Sequence, residues 1–352
     1  MGGIGTAAVR RLALFVAAVA VGWAVAAGFG LHGVERSPAY FLVASTLLAV
    51  GLFGSAHGIS PHAVRSNLRV VVLAVTVGVL AKALLIGAVL VLCFGSPAFL
   101  VLGVAVAQID PLSVAAMNHG SRLSPGGRAV LAAWSAFDDP VTMLLTVYLS
   151  GFALGMLGRT PVSGSAADGG VLSLLADLGV NLLFAACAFA LWKAVRRHRV
   201  LAFALLAVVF AVAIWQFLML GLALTALFLR PGVDRLLDRA VQVAFLVASV
   251  GLGVLLVNGV HVLAGAALGA AAFAAQAVVS PLITRGLPGR DRGFLAVSQQ
   301  NGITAIILAL LLEPDFPLAV GVIGPAIVVV NLLHATAATA WAARRPEAVR
   351  SG

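Results

Sequence analysis

Long apolar runs, separated by short loops that carry most of the arginines, make up almost the whole chain. They fall near 9–30, 38–56, 68–94, 97–118, 128–156, 171–192, 200–230, 237–257, 260–283, 292–312 and 317–341. Most reach the roughly 20 residues with which a helix crosses about 30 Å of hydrocarbon. Lipid offers the backbone no hydrogen bonds, so runs of this kind predict helices rather than open strands.

Segment 200–230 is too long for one span and short for two. Charge parity decides between them. If it is a pair of short helices turning near Trp215 and Gln216, then 19 of the 22 Lys and Arg residues fall on one side of the membrane. Arg36 and Arg159 remain opposite, and Lys82 lies inside the apolar layer. A single crossing would move the last three basic clusters across, against the bias of Lys and Arg toward cytoplasmic loops. The pattern predicts an all-α polytopic protein of about twelve spans in the cell membrane (inner or plasma), with both termini cytoplasmic.

Composition agrees: 62% of residues are hydrophobic and 10% charged, against roughly 25% charged in soluble domains. The net charge of +10 does not imply a nucleic-acid partner, because the basic residues flank spans instead of forming a patch. Cys93 and Cys187 lie in separate apolar segments and indicate neither a disulfide framework nor a metal site. The run after Arg10 and Arg11 lacks a small-residue cleavage site before a polar domain, so it reads as a first span and not a signal peptide.

Four charges remain within spans: Lys82 in span 3, Asp110 in span 4, and Asp138 and Asp139 in span 5. Asp139 lies about 16 Å along its helix from Arg128, near the midplane. Each such charge costs about 2.5–3.5 kcal/mol on the lenient insertion scale, and intramembrane carboxylates usually mark ion or proton pathways. Pro111 follows Asp110 and predicts a break in span 4. Gln299, Gln300, Asn301 and Gly302 predict a second break in span 11. Ser113 and Thr304 lie just beyond the two breaks. Spans 1–5 and 8–12 enter the membrane from opposite sides, so spans 4 and 11 become mates in an inverted repeat, the arrangement that puts transporter sites at broken helices. Gln276, Asn331 and His334 read as interhelical hydrogen-bonding residues. Pro140 reads as a kink in span 5, and Lys82 either lines a polar cavity or pairs with an aspartate.

"QIDP" (Gln108–Pro111) and "WSAFDD" (Trp134–Asp139) resemble the paired motifs of the cation:proton antiporter superfamily: Thr-Asp-Pro at one helix break and Glu-Ser-x-x-Asn-Asp or Asp-Asp on the next helix. Asp110 and Asp139 are 29 residues apart, as in that family. "LALTALFLRP" (222–231) resembles its short helix ending in an Ala-Phe-x-x-Gly-like run, without the glycine. Ile109 stands in place of the threonine, Trp134 in place of the glutamate, and Asn301-Gly302 in place of an Arg-Gly. Span 10 lacks the lysine that electrogenic members pair with the first aspartate.

The resemblance implies exchange of a monovalent cation, Na+ first and Li+ or K+ as alternatives, for protons, with no other cofactor. Asp139 would be the main ligand, with Asp110 sharing the cation and Asp138 and Ser135 beside them. Ser135 shares a helix face with Asp139. Gln300, Asn301 and backbone carbonyls freed at the breaks would add oxygen ligands, which hard cations favour. Residues 68–156 and 260–341 would form a moving core, and 9–56 and 200–257 a scaffold that dimerises. Lys82 would replace the missing span-10 lysine as partner of Asp138 or Asp110. The physics supports the same site. A carboxylate in low dielectric beside another carboxylate is costly while charged, and either a proton or a cation relieves it.

Two other classes compete. A Na+-coupled symporter of an organic anion, with a bile-acid-carrier-like fold, would also use crossed broken helices. Membrane enzymes with paired aspartates need a Gly-x-Gly-Asp or a D-D-x-x-D element, and neither is present. His57, His62, His119 and His198 read as solvated residues at the cytoplasmic side.

Overall fold

In the computed structural model, residues 3–58, 68–111, 113–114, 123–160 and 171–343 are described, and they fold into helices joined by short turns. His62 and His119 lie outside them. Eight helices are long and apolar enough to cross a membrane. They are span 1 (Gly3–Phe29), span 2 (Pro38–His57), span 3 (Leu68–Phe94), span 5 (Pro125–Met156), span 6 (Val171–Val195), span 9 (Asp234–Leu255), span 10 (Val262–Ile283) and span 12 (Ala319–Ala343). The protein is a multi-pass membrane protein.

The remaining predicted spans are the irregular ones. Span 4 is helical over Ala98–Ala105, unwinds, and turns helical again at Pro111, where Val114 N–H donates to the Asp110 carbonyl. Span 11 is split into Gly289–Ala296 and Ile303–Leu312. Segment 200–230 holds two helices, span 7 (Arg199–Trp215) and span 8 (Met219–Ala226), with a turn that puts Phe217 at φ 54°. Span 8 covers only about 12 Å at 1.5 Å per residue, less than a full crossing.

Local sequence explains the element ends. Ser37 and Ser124 each accept a hydrogen bond from a backbone N–H three residues on, and each precedes a proline at the first helical position. That pairing supplies a missing partner and a preset φ together. Pro140 sits inside an unbroken helix, while span 3 carries one wide π turn over Ala74–Gly78.

Packing follows the inverted repeat. Span 1 packs along span 9, and span 8 along span 2, the exchange expected when spans 1 and 2 are mates of spans 8 and 9. Likewise span 3 packs on span 4 as span 10 does on the first half of span 11. Spans 1 and 9 approach closely because glycines face backbone: a Cβ at Gly22 would lie 2.0 Å from the Val250 carbonyl oxygen, and one at Gly253 2.1 Å from that of Val19. Small residues at such crossings are the usual means of close helix association in lipid.

Candidate functional site

The two broken spans cross where both are unwound. The Asp110 N–H donates to the Gln300 carbonyl at 2.9 Å, joining the breaks directly. Asp110 caps its own half-helix: its Oδ2 accepts from the Ser113 N–H at 2.8 Å and the Ser113 hydroxyl at 2.6 Å. The same carboxylate lies against the start of the second half of span 11, where a Cβ on Gly302 would come within 2.3 Å of it. Only a glycine lets the carboxylate sit there. The helical turn that starts at Pro111 and the N-terminus of Ile303–Leu312 thus both face one anion, the electrostatics that helix starts favour.

The unwound backbone is not left bare. Gln299 Nε2 donates to the carbonyls of Val106 (3.1 Å) and Gln108 (2.7 Å), and Asn301 Nδ2 to Val106 (3.0 Å). Asn331 bonds both the N–H and the carbonyl of Asn301, His334 bonds the Val297 carbonyl, and Gln276 donates to that of Leu295. The carbonyls of Val106, Gln108, Val297, Gln300 and Asn301, freed from the helix ladder at the breaks, each accept a hydrogen bond. Buried carbonyls need partners, and side-chain amides are the nearest donors where the helix ladder is missing.

On span 5 the adjacent aspartates point to different partners. Lys82 Nζ donates to Asp138 Oδ2 at 2.9 Å, with both side chains fully buried, and lies 5.1 Å from the centre of the Trp134 ring. The Ile109 N–H donates to the same oxygen at 3.0 Å, tying the pair to the span-4 break. Asp139, also buried, lies 3.0 Å from the Ser55 hydroxyl of span 2, whose single proton is shared with the Gly51 carbonyl of its own helix at 2.9 Å. The Thr304 hydroxyl, buried in the first turn of the second half of span 11, has no hydrogen-bond partner among the described residues. Among the described residues no basic side chain pairs with Asp139.

Ser135 does not fill the place expected of it. Its hydroxyl donates to the Ala132 carbonyl at 3.1 Å, within its own helix, and the hydroxyl bonded to Asp139 is that of Ser55. Both serines have a carbonyl of their own helix in reach, a bond that competes with a tertiary partner, and of the two only Ser55 also reaches Asp139.

Arg11 is a second correction. Instead of a loop cation it is a helical residue whose Nη1 is 2.8 Å from Asp110 Oδ2 and 2.7 Å from the Ser113 hydroxyl, over the Phe245 ring. Arginine at a span end can lay its stem along apolar surface and send its head either way; here a buried carboxylate draws it inward. His57 is a third: it is 8% exposed, and its Nε2 lies 3.0 Å from Asp234 Oδ1. His198 is exposed.

Among the described residues, several buried oxygens at the crossing have no hydrogen-bond partner: Asp110 Oδ1, Asp138 Oδ1, Asp139 Oδ1, Gln299 Oε1, Asn301 Oδ1 and Thr304 Oγ1. Unpaired buried polar atoms carry a desolvation cost of about 1–3 kcal/mol each, and an enclosed set of bare oxygens is the donor chemistry of a hard cation. No three His, Cys, Asp or Glu side chains among the described residues converge as a metal cluster.

No known family profile and no curated sequence matches the chain. Solved structures do. The structure of the sodium proton antiporter MjNhaP1 from Methanocaldococcus jannaschii at pH 8 superposes with a TM-score of 0.60 at 17% identity, covering 96% of this chain and 98% of that one. An electron-microscopy map of the same antiporter gives a TM-score of 0.63 at 16% identity, with 99% of each chain covered. At this identity the likeness shows the fold: an antiporter-like bundle of crossed, broken spans.

Proposed function

We propose that the chain exchanges a monovalent cation, Na+ first among them, for protons, with Asp139 as the group for which the two compete. One observation carries this reading. Of the three deep carboxylates, Asp138 is held by Lys82 and Asp110 by Arg11, while Asp139 has no basic partner among the described residues. A buried carboxylate without a counter-charge must take up a proton or a cation to be tolerated in the membrane. Asp138 and Asp110 each have a counter-charge within the protein, so the charge that only a proton or a cation can relieve is that of Asp139. The bare oxygens of Asp110, Asn301 and Thr304 supply the remaining donors.

The neighbours of similar fold are sodium/proton antiporters, which favours exchange over symport of an organic anion. Residues 68–156 and 260–341 act as the moving core and 9–56 with 200–257 as the scaffold and dimer face, and alternating access moves the crossing between the two sides. The test uses the purified protein in vesicles with a preset pH gradient. Addition of Na+, Li+ or K+ alone collapses the gradient if the protein is an exchanger. A gradient unmoved by all three, at any orientation, contradicts the reading.

A further inference from the structure

The guanidinium on Asp110 arrives from the wrong part of the molecule for a simple structural pair. Span 1, which carries Arg11, packs along span 9 and against span 12, and its link to the span-4 break is this side chain. Arg11 is 23% exposed while Asp110 is 1% exposed. The pair therefore joins a partly exposed cation to an enclosed carboxylate. A narrow cavity of about 30 Å³ lies beside it, lined by Arg11, Ser113, Phe245, Gln300, Asn301 and Asn331. That is room for about two waters, enough for a small ion and little more.

The seat of the guanidinium is also incomplete. It takes Asp110 Oδ2, shares that oxygen with Ser113, and rests over Phe245 at 5.1 Å. Asp110 Oδ1 stays bare beside Gly302, as does Asn301 Oδ1 on the cavity wall. An arginine can grip both oxygens of a carboxylate in a fork; the ion pair recorded here uses one.

We propose that Arg11 is a tethered counter-cation which competes with the transported ion for Asp110. It neutralises Asp110 while no ion is present and withdraws toward solvent along Phe245 when one enters. The inference rests on the exchange reading and deepens it. It assigns to span 1 a residue that sets the apparent affinity for the cation without being a ligand. The chemistry follows from charge alone. A carboxylate already paired attracts a second cation weakly, so a weaker or absent competitor leaves a stronger site.

The experiment is cation-driven collapse of a pH gradient in vesicles, with wild type, Arg11→Lys and Arg11→Gln, read as KM for Na+ separately from kcat. The glutamine keeps hydrogen-bonding capacity at the cavity and removes the charge. Its KM is expected to fall about fivefold, the factor that about 1 kcal/mol of competition supplies. Arg11→Lys, with a shorter reach and no fork, is expected to give a smaller fall. An unchanged or raised KM in Arg11→Gln, with the protein folded by gel filtration, overturns the proposal and leaves exchange intact. If Arg11→Gln does not fold, Arg11→Lys decides: a lowered KM supports the competitor role, and an unchanged one overturns it. No exchange by the wild type overturns the exchange reading and this inference together.

Discussion

Lys82 and Asp138 form a fully enclosed ion pair at 2.9 Å, with the lysine on span 3 and the aspartate on span 5. The lysine thus stands on the span related by the inverted repeat to lysine-free span 10, and reaches the first residue of the acidic pair. Breaking a buried pair leaves an uncompensated charge, which costs about 3–5 kcal/mol. Lys82→Met is expected to lower thermal stability by a comparable amount and to impair transport. The double variant Lys82→Met/Asp138→Leu recovers most of the stability, because it removes both charges. Thermal unfolding of the singles and the double in detergent measures this; a single variant as stable as wild type would show that the pair is not what neutralises Asp138.

Gly302 meets Asp110 so closely that any side chain must displace the carboxylate. Gly302→Ala is expected to abolish or strongly reduce transport, with a loss of about 1–3 kcal/mol in stability from overpacking. Gly155→Ala on span 5 is the control, since a Cβ there meets nothing within 4 Å. Equal transport by both variants would contradict the crossing geometry.

Ser55 and Ser135 each bond a carbonyl of their own helix, but of the two only Ser55 also reaches Asp139. Ser55→Ala removes a hydrogen bond to a charged group, worth about 1.5–3 kcal/mol, and is expected to shift the KM for the cation. Ser135→Ala loses only a bond to its own helix and is expected to leave transport near wild type. Kinetics of the two variants side by side decide it, and a larger effect at Ser135 would reverse the assignment.

Because a proton and a cation relieve the same carboxylate, acidification on the cation-loading side is expected to act as competitive inhibition. The sign follows from occupancy: a protonated Asp139 is already neutral and has no net charge to attract a cation. KM for Na+ therefore rises as pH falls, while the rate at saturating Na+ is preserved. Initial rates over a matrix of pH and Na+ concentration check this. A fall in maximal rate at constant KM would place the proton elsewhere.

The sequence showed the spans and the deep carboxylates because each is a departure from a uniform apolar background. Asp110, Asp138, Asp139 and Lys82 could not belong to loops, and proline or a run of amides marked each break. The turn in segment 200–230 followed from charge parity alone. Arg11 and Ser55 were hidden for the converse reason. An arginine at a span end is what membrane topology puts there in any case, and a serine in a helix is ordinary. Only the crossing of distant helices gives them partners. The amides of Gln299 and Asn301 mark the break in the sequence; that their nitrogens brace the facing break's carbonyls while their oxygens stay bare is visible only in the crossing. The short motif Asp-Pro-Leu-Ser carries a legible helix start: a capping aspartate, a proline at the first helical position and a serine N–H that donates to the aspartate.

The central claim is that Asp139 carries the exchange. The most direct measurement is proton/cation exchange by Asp139→Asn and wild type in vesicles at matched protein density. Asparagine keeps the size and the Ser55 contact but can neither be relieved by a proton nor neutralise a cation. The account predicts gradient collapse by wild type on addition of Na+, Li+ or K+, and none above empty vesicles by Asp139→Asn. Undiminished exchange by Asp139→Asn would contradict it.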